Sequence, residues 1–301
     1  MVPSATLSWV VTLKCFTISG VFTEYLGWHY LIQIIEVSLW FTRNIYDIDK
    51  PGAGTTQSSA ISSCQALRSQ IPLPSSGIYW IDPDGGSHTN AFKAYCDMDT
   101  NGGGWTLVWS YTFTDYEFFM AGTNAVTPRP NWPVRHRNEV PISTTPPMSE
   151  TDYNAMDFSL WKQLGRQVLI KSNINNWLLC NPVTGSLVDW QEGSVSCQIV
   201  KRVTDKCLEA SAPSSISPSE RLRCGPVFLS TSFWVDGYYY FDGCTRKDWP
   251  IHDPCGITSA QWTYLQNVAN PHGNIFVRWA SIRDVSSLSD SVILLNRQQW
   301  Q

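Results

Sequence analysis

The sequence predicts an α+β protein built on a mainly antiparallel sheet, with few short helices and long loops. Three observations predict it. Short aromatic and β-branched runs recur at residues 78–81, 91–96, 105–112, 167–171 and 274–283, with Gly, Pro, Asp, Asn or Ser close to their ends, as strands separated by turns require. These runs do not alternate with helical patterns, so a parallel βα architecture is not indicated. Nine cysteines, eight of them after residue 60, contain no Cys-x-x-Cys pair. That spacing fits disulfides in an oxidising compartment better than a zinc or thiol-redox site.

Taken in order, residues 1–50 differ from the rest. A mostly apolar run, Ala5 to Leu13, stops at Lys14 and lacks the basic start of a secretory signal; the nearest small residues at cleavage distance are Ser19 and Gly20. A second run, residues 26–41, carries His29, Gln33 and Glu36 and is short and polar for a membrane span. Three readings of 1–50 are kept: a signal peptide, an uncleaved signal anchor, or a non-native leader. Residues 51–61, rich in Gly, Ser and Thr, read as a flexible linker. The folded domain is expected over 62–285, with 286–301 as a tail. The proline-rich residues 123–147 read as a long loop. Ser149-x-x-Asp152 predicts the cap of a short helix carrying Tyr153, Met156, Leu160, Trp161 and Leu164, ended by Gly165. In 167–171, Val168 and Ile170 share a face. In 274–283, Ile275, Val277 and Trp279 alternate against Phe276 and Arg278.

Composition narrows the function. A chain of 301 residues with 43% hydrophobic residues holds one large domain or two ordinary ones. A net charge of −4 argues against a nucleic-acid binder, which would carry a basic patch. The fifteen tryptophans read as core and sheet residues. Gly-x-Ser-x-Gly, His-Glu-x-x-His and Gly-x-x-x-x-Gly-Lys are all missing, and His29, His88, His136, His252 and His272 show no paired ligand spacing. The expectation is a non-enzymatic protein. The sequence holds no Asn-x-Ser/Thr acceptor.

The most informative stretch is residues 94–109, Ala-Tyr-Cys-Asp-Met-Asp-Thr-Asn-Gly-Gly-Gly-Trp-Thr-Leu-Val-Trp. Gly102, Gly103 and Gly104 allow a tight reversal between two strands. Upstream stand Ser63-Cys64 and Gly77-Ile78-Tyr79-Trp80-Ile81. This order, Ser-Cys, Gly-x-Tyr-x-Ile, Tyr95-Cys96-Asp97-Met98, then Gly-Gly-Gly-Trp-Thr, resembles the start of the fibrinogen C-terminal-like domain, over about 45 residues.

The resemblance implies a Cys64–Cys96 disulfide, which in the chain-entropy model contributes roughly 3 kcal/mol. Cys244 and Cys255 resemble the family's short second loop and imply a second pair. Cys180, Cys197, Cys207 and Cys224 then have three possible connectivities. The family's Arg-x-x-Gly and Phe-Trp-Leu-Gly segments are missing after the Trp strand, which marks a divergent branch. The family also implies calcium shortly before the second loop, where Asp236 and Asp242 are the candidates. Calcium takes six to eight oxygens, and two aspartates beside glycines serve equally as turn residues. The candidate ligand patch is Tyr238, Tyr239 and Tyr240 with Trp249 and His252, although these tyrosines would also serve as strand packing.

The resemblance implies a secreted, extracellular protein. As a whole the sequence also resembles cnidarian fibrinogen-like proteins, some of which occur in the skeletal organic matrix of corals, where biomineralization takes place. The expected role is a matrix component working through protein or glycan contacts. The alternatives are a lectin-like protein binding sugars or acetylated ligands, with or without calcium, and a single-pass membrane receptor anchored through residues 26–41. No nucleic-acid partner is expected.

Overall fold

The computed structural model describes residues 7–13, 16–22, 52–115, 125–133, 140–203, 212–218, 225–229, 238–241, 252–253 and 268–279. It divides into two units, Met1–Gly52 and Ala53–Gln301. In the first, β1 (Leu7–Leu13) pairs antiparallel with β2 (Phe16–Phe22), Leu7 opposite Phe22 and Leu13 opposite Phe16. Cys15 and residues 26–41 lie outside the described residues. No helix among the described residues is long and apolar enough to cross a membrane.

The second unit runs α1 (Cys64–Gln70), β3 (Gly77–Ile81), β4 (Phe92–Asp97), β5 (Trp105–Phe113), β6 (Val126–Thr127), β7 (Arg129–Pro130), β8 (Ile142–Ser143), α2 (Phe158–Leu164), β9 (Gln167–Ser172), β10 (Trp177–Pro182), β11 (Gly193–Lys201), β12 (Ser215–Ser217), β13 (Val227–Leu229), β14 (Tyr238–Tyr240), β15 (His252–Asp253) and β16 (His272–Arg278). One sheet carries the order β15-β14-β13-β12-β11-β10-β9-β16-β5-β4-β3, with β6 on β5. Its strand pairings are antiparallel among the described residues; β7 and β8 form a separate two-residue parallel pair. The fold is therefore α+β with a mainly antiparallel sheet.

The motif residues explain themselves locally. Ser63 caps α1, its Oγ accepting the Ala66 N–H at 3.2 Å. The cap sets Cys64 at the first helical position, where it bonds Cys96 in β4. Asn101, Gly102, Gly103 and Gly104 all take positive φ, completing the reversal into β5. A Cβ on Gly104 would lie 3.0 Å from the Gln65 Cα, so a bare glycine also lets α1 seat on the turn. Arg278, from the far end of the chain, latches the turn: Nη1 donates to Gly103 O at 2.9 Å and Asn101 O at 3.2 Å, and its guanidinium lies 4.0 Å over the Trp105 ring.

The middle strands are buried on both faces. β5 and β9 are buried throughout, and β16 nearly so. One face holds Trp109, Val168, Ile170, Ile275 and Val277 in a large core; the other holds Trp105, Leu107, Leu169, Leu179 and Phe276 in a smaller one. Strict alternation would put Trp105, Leu107 and Trp109 on one face. Between Leu107 and Trp109 the register against β16 slips, Ile275 facing Trp109 and Phe276 facing Leu107. The bulge re-aims the later half of β5 into the large core. There Trp109 stacks edge-on against Trp132, 5.0 Å between centroids, and lies 5.5 Å from Phe241. Such packing explains most of the described tryptophans.

Several expectations need correction. Residues 53–61 are not a free linker: Ile61 bridges Ile81, the Trp80 N–H donates to Gly54 O at 2.7 Å, and the Asp82 N–H donates to Ile61 O at 2.7 Å. The sheet edge at β3 offered unpaired backbone groups, and this segment takes them. The domain therefore begins near Ala53, ahead of residue 62. The helix ending at Gly165 starts at Phe158, capped by Asp157, whose side chain accepts the Ser159 N–H. Residues 154–156 cannot be helical, because they pair with the bulged strand: Ser110 N–H to Asn154 O at 2.9 Å, and Met156 N–H to Val108 O at 2.8 Å. The proline-rich loop contains β6, β7 and β8 among its described residues. The last strand begins at His272 and ends at Arg278, and Trp279 is 43% exposed.

The second described disulfide joins Cys180 to Cys197, which stand directly opposite each other on β10 and β11. Cys207, Cys224, Cys244 and Cys255 lie outside the described residues. Replacing Cys180 and Cys197 together by serine is expected to cost about 3 kcal/mol by the chain-entropy relation for this loop, read as a lowered midpoint in denaturant.

Candidate functional site

The structure brings part of the predicted aromatic patch to one end of the sheet. β14, which is Tyr238–Tyr240, pairs with β13 through Tyr239 opposite Phe228. On its other side β15 places His252 opposite Tyr239 and Asp253 opposite Tyr238. Asp236, Asp242 and Trp249 lie outside the described residues. Three tyrosine backbones and His252 therefore share two neighbouring strands.

A second cluster, missed in the sequence, occupies the loop between β3 and β4. Asp82 is 1% exposed, covered where the 53–61 segment lies along β3. Its Oδ2 is 2.5 Å from His88 Nδ1, while its Oδ1 is buried with no hydrogen-bond partner. Asp84 accepts the Gly86 N–H at Oδ1 (3.2 Å) and the Asn90 side-chain amide at Oδ2 (2.8 Å). The Asp82 carboxyl beside it, then Asn90, Gly86 and the His88 charge, hold the Asp84 carboxyl below the usual range. His88 is held at a φ of 56°, and its carbonyl accepts from Gln57 Nε2 at 3.0 Å. A non-glycine residue in that region costs on the order of 1 kcal/mol.

The loop thus presents two carboxylates, one of them, Asp82, with a buried oxygen that has no hydrogen-bond partner. Calcium draws its remaining oxygens from carbonyls, amides and water. Among the described residues no three His, Cys, Asp or Glu side chains surround a single point that could hold a metal ion. The sequence signal was Asp82-Pro83-Asp84-Gly85, two carboxylates spaced by one residue before a glycine turn.

The third polar cluster is largely buried and joins Asp97 of β4, Lys171 of β9 and Glu150. Lys171 Nζ donates to Asp97 Oδ2 at 3.1 Å and to Glu150 Oε1, and lies 4.6 Å over Trp177. Burial pushes the lysine down, but Glu150 and Asp97 outweigh it and hold it above the usual value. Asp97 is likewise pushed up by burial. Hydrogen bonds from the Thr100 side chain and N–H, the Lys171 charge and the Asp99 N–H prevail, holding it below the carboxylate range. Lys171 is thus held between two carboxylates, and the cluster ties β4, β9 and the segment ahead of α2 together.

Known proteins share parts of this chain. Residues 35–109, about a quarter of it, match the fibrillar collagen C-terminal domain family. A 69-residue stretch is 39% identical to Fibrinogen-like protein A of Apostichopus parvimensis, spanning less than a quarter of either protein. The fibrinogen-like globe domain of human ANGPTL6 aligns over 73% of this chain and 96% of that one, at 12% identity and a TM-score of 0.32, too loose a superposition to argue from. Residues 63–106 thus carry the sequence pattern of fibrinogen C-terminal-like domains, and the chain spans less than a quarter of the length of the fibrinogen-like protein it matches.

Proposed function

We propose that this chain is a non-enzymatic, secreted component of an extracellular matrix, acting through protein or glycan contacts. The observation that carries the reading is the pair of cross-linked half-buried and buried cysteine pairs, Cys64–Cys96 and Cys180–Cys197. Such bonds persist outside the cell and are rare in the cytosol. The kinship with fibrinogen-like proteins supports the same compartment. A skeletal organic matrix is the specific destination proposed, on the resemblance of the whole sequence. The test is expression of the full chain in secreting animal cells. The expected result is recovery of oxidised protein from the medium or deposited matrix. Retention in the cytosol with free thiols at these four positions would overturn the reading.

Calcium is proposed as a stabilising ion at Asp82 and Asp84. With calcium at 100 times its dissociation constant, the folded state gains about 2.7 kcal/mol. The melting temperature of the full chain is expected to rise on adding calcium, and Asp84→Ala is expected to remove most of the rise. An equal rise in both proteins would move the ion elsewhere, toward Asp236 and Asp242.

The second reading is lectin-like recognition, and the register of Tyr239 against His252 favours it. If it holds, Tyr239→Ala abolishes binding to an acetylated-sugar array while the protein still melts cooperatively. Unchanged binding by that variant would sink it.

A further inference from the structure

Beside α1 lies an open groove of about 530 Å³ lined by Ser63, Gln65, Ala66, Arg68, Ser69 and Trp279. It stands apart from the tyrosine strands and from the 82–90 loop in sequence. Trp279 is the residue that broke the expected strand: it is a large apolar side chain, 43% exposed, immediately after a buried strand. Its ring is not loose. The Arg166 guanidinium sits 4.9 Å from the ring centroid and is itself held by Asp189 at 3.0 Å. An arginine stacked on one face orients the indole and leaves the rest of the ring to the groove.

The charges around this groove are unbalanced. Arg68 is exposed, and no acidic partner is present for it among the described residues. Arg68 Nη1 lies 3.6 Å, and Arg278 Nη1 3.8 Å, from the point where a Cβ on Gly102 would stand. Arg278 is committed to the turn carbonyls, so Arg68 is the cation that the groove offers. A basic groove on a chain of net charge −4 is a local feature and not a consequence of overall charge.

We propose that the groove between α1 and Trp279 binds an acidic polysaccharide, one bearing sulfate or carboxylate groups. The indole offers a flat apolar face for a sugar ring, and Gln65 and Ser69 line the groove with polar groups that suit hydroxyls. Arg68 supplies the fork geometry that suits a sulfate or carboxylate. The inference deepens the glycan-contact reading above by naming a ligand class and a different set of residues. It rests on that reading only for the ligand's availability outside the cell.

The experiment uses the full oxidised chain on immobilised heparin, hyaluronan and neutral dextran. Heparin carries sulfates and hyaluronan only carboxylates, so the two arms separate the sources of charge. Retention on at least one acidic polymer and none on dextran is expected, weakening as salt rises. Arg68→Ser and Trp279→Ala are each expected to weaken binding about tenfold while leaving the melting temperature within a few degrees. Both positions are exposed, so folding is not at stake. No retention above dextran overturns the proposal. So does retention that Arg68→Ser reduces and Trp279→Ala leaves unchanged, which would reduce the site to diffuse surface charge. Secretion and matrix deposition without acidic-polymer binding would remove the groove proposal and leave the matrix reading intact.

Discussion

Lys171→Met is expected to lower the free energy of unfolding by about 3–5 kcal/mol, the range for removing one partner of a buried charge cluster. Methionine keeps the unbranched stem that passes Trp177 and Phe276, so the loss is electrostatic more than steric. Lys171 and Asp97 have side chains only 8% and 4% exposed, and Glu150 is 32% exposed. Without the ammonium, Asp97 keeps its N–H donors from Asp99 and Thr100 but loses its countercharge. The measurement is urea denaturation at pH 7. A loss under about 1 kcal/mol would mean that the cluster behaves like an exposed ion pair.

The sign of its pH dependence follows from the two shifts. Asp97 is depressed in the folded state. Its contribution is therefore present above the unfolded carboxylate value of about 3.9 and is lost as pH falls from there toward its lower folded value. Lys171 is raised. Its contribution is full below about 10.4 and disappears only as pH climbs through the higher folded value. Wild-type stability should thus fall on acidification below about pH 4, and the methionine variant should fall less steeply there.

Gly103→Ala is expected to cost about 3 kcal/mol or more, combining left-handed strain with a clash that backbone must absorb. Its φ is 66°, and an added Cβ would stand 2.1 Å from Met98 O. Moving Met98 disturbs the hairpin beside Cys96, and moving the Gly103 carbonyl breaks the Arg278 latch. Gly85→Ala is the control. Its φ is 64°, but nothing lies within 4 Å of its Cβ, so it should cost only about 1 kcal/mol. Thermal melts of the two variants separate clash from conformational strain. Equal losses would mean the turn relaxes freely.

What was legible in the sequence was local. The β3–β4 hairpin, the glycine reversal and the start of β5 depend on neighbours within a few residues, and their residue types announce them. The bulge at Val108 was hidden, because it answers to β16, which is far along the chain. The pairing of Cys180 with Cys197 was equally hidden, since spacing alone leaves three connectivities; the β10–β11 register makes the choice. Asp82 and Asp84 were missed as a pair, because the burial of Asp82 comes from the 53–61 segment folding back on β3. Low-complexity composition made that segment look unstructured. The helix start moved for the same reason: residues 154–156 had helical periodicity, and a distant strand claimed their backbone.

The position of β16 has a consequence for biosynthesis. It is the hydrogen-bonded joint between two halves of the sheet, β3–β5 and β9–β11: His272 pairs with Thr112 and accepts from Ser172, 100 residues earlier. Each half carries its own disulfide, and all four of those cysteines leave the ribosome before β16 does. The nascent chain can therefore oxidise two separate half-sheets first, with their inner edges still unpaired, and must wait for residues 272–278 to zip them together. Such late, long-range closure is slow and leaves exposed edges while it lasts. Chaperone demand during synthesis should therefore peak just before this single strand emerges, and truncation ahead of it should yield oxidised but aggregating product.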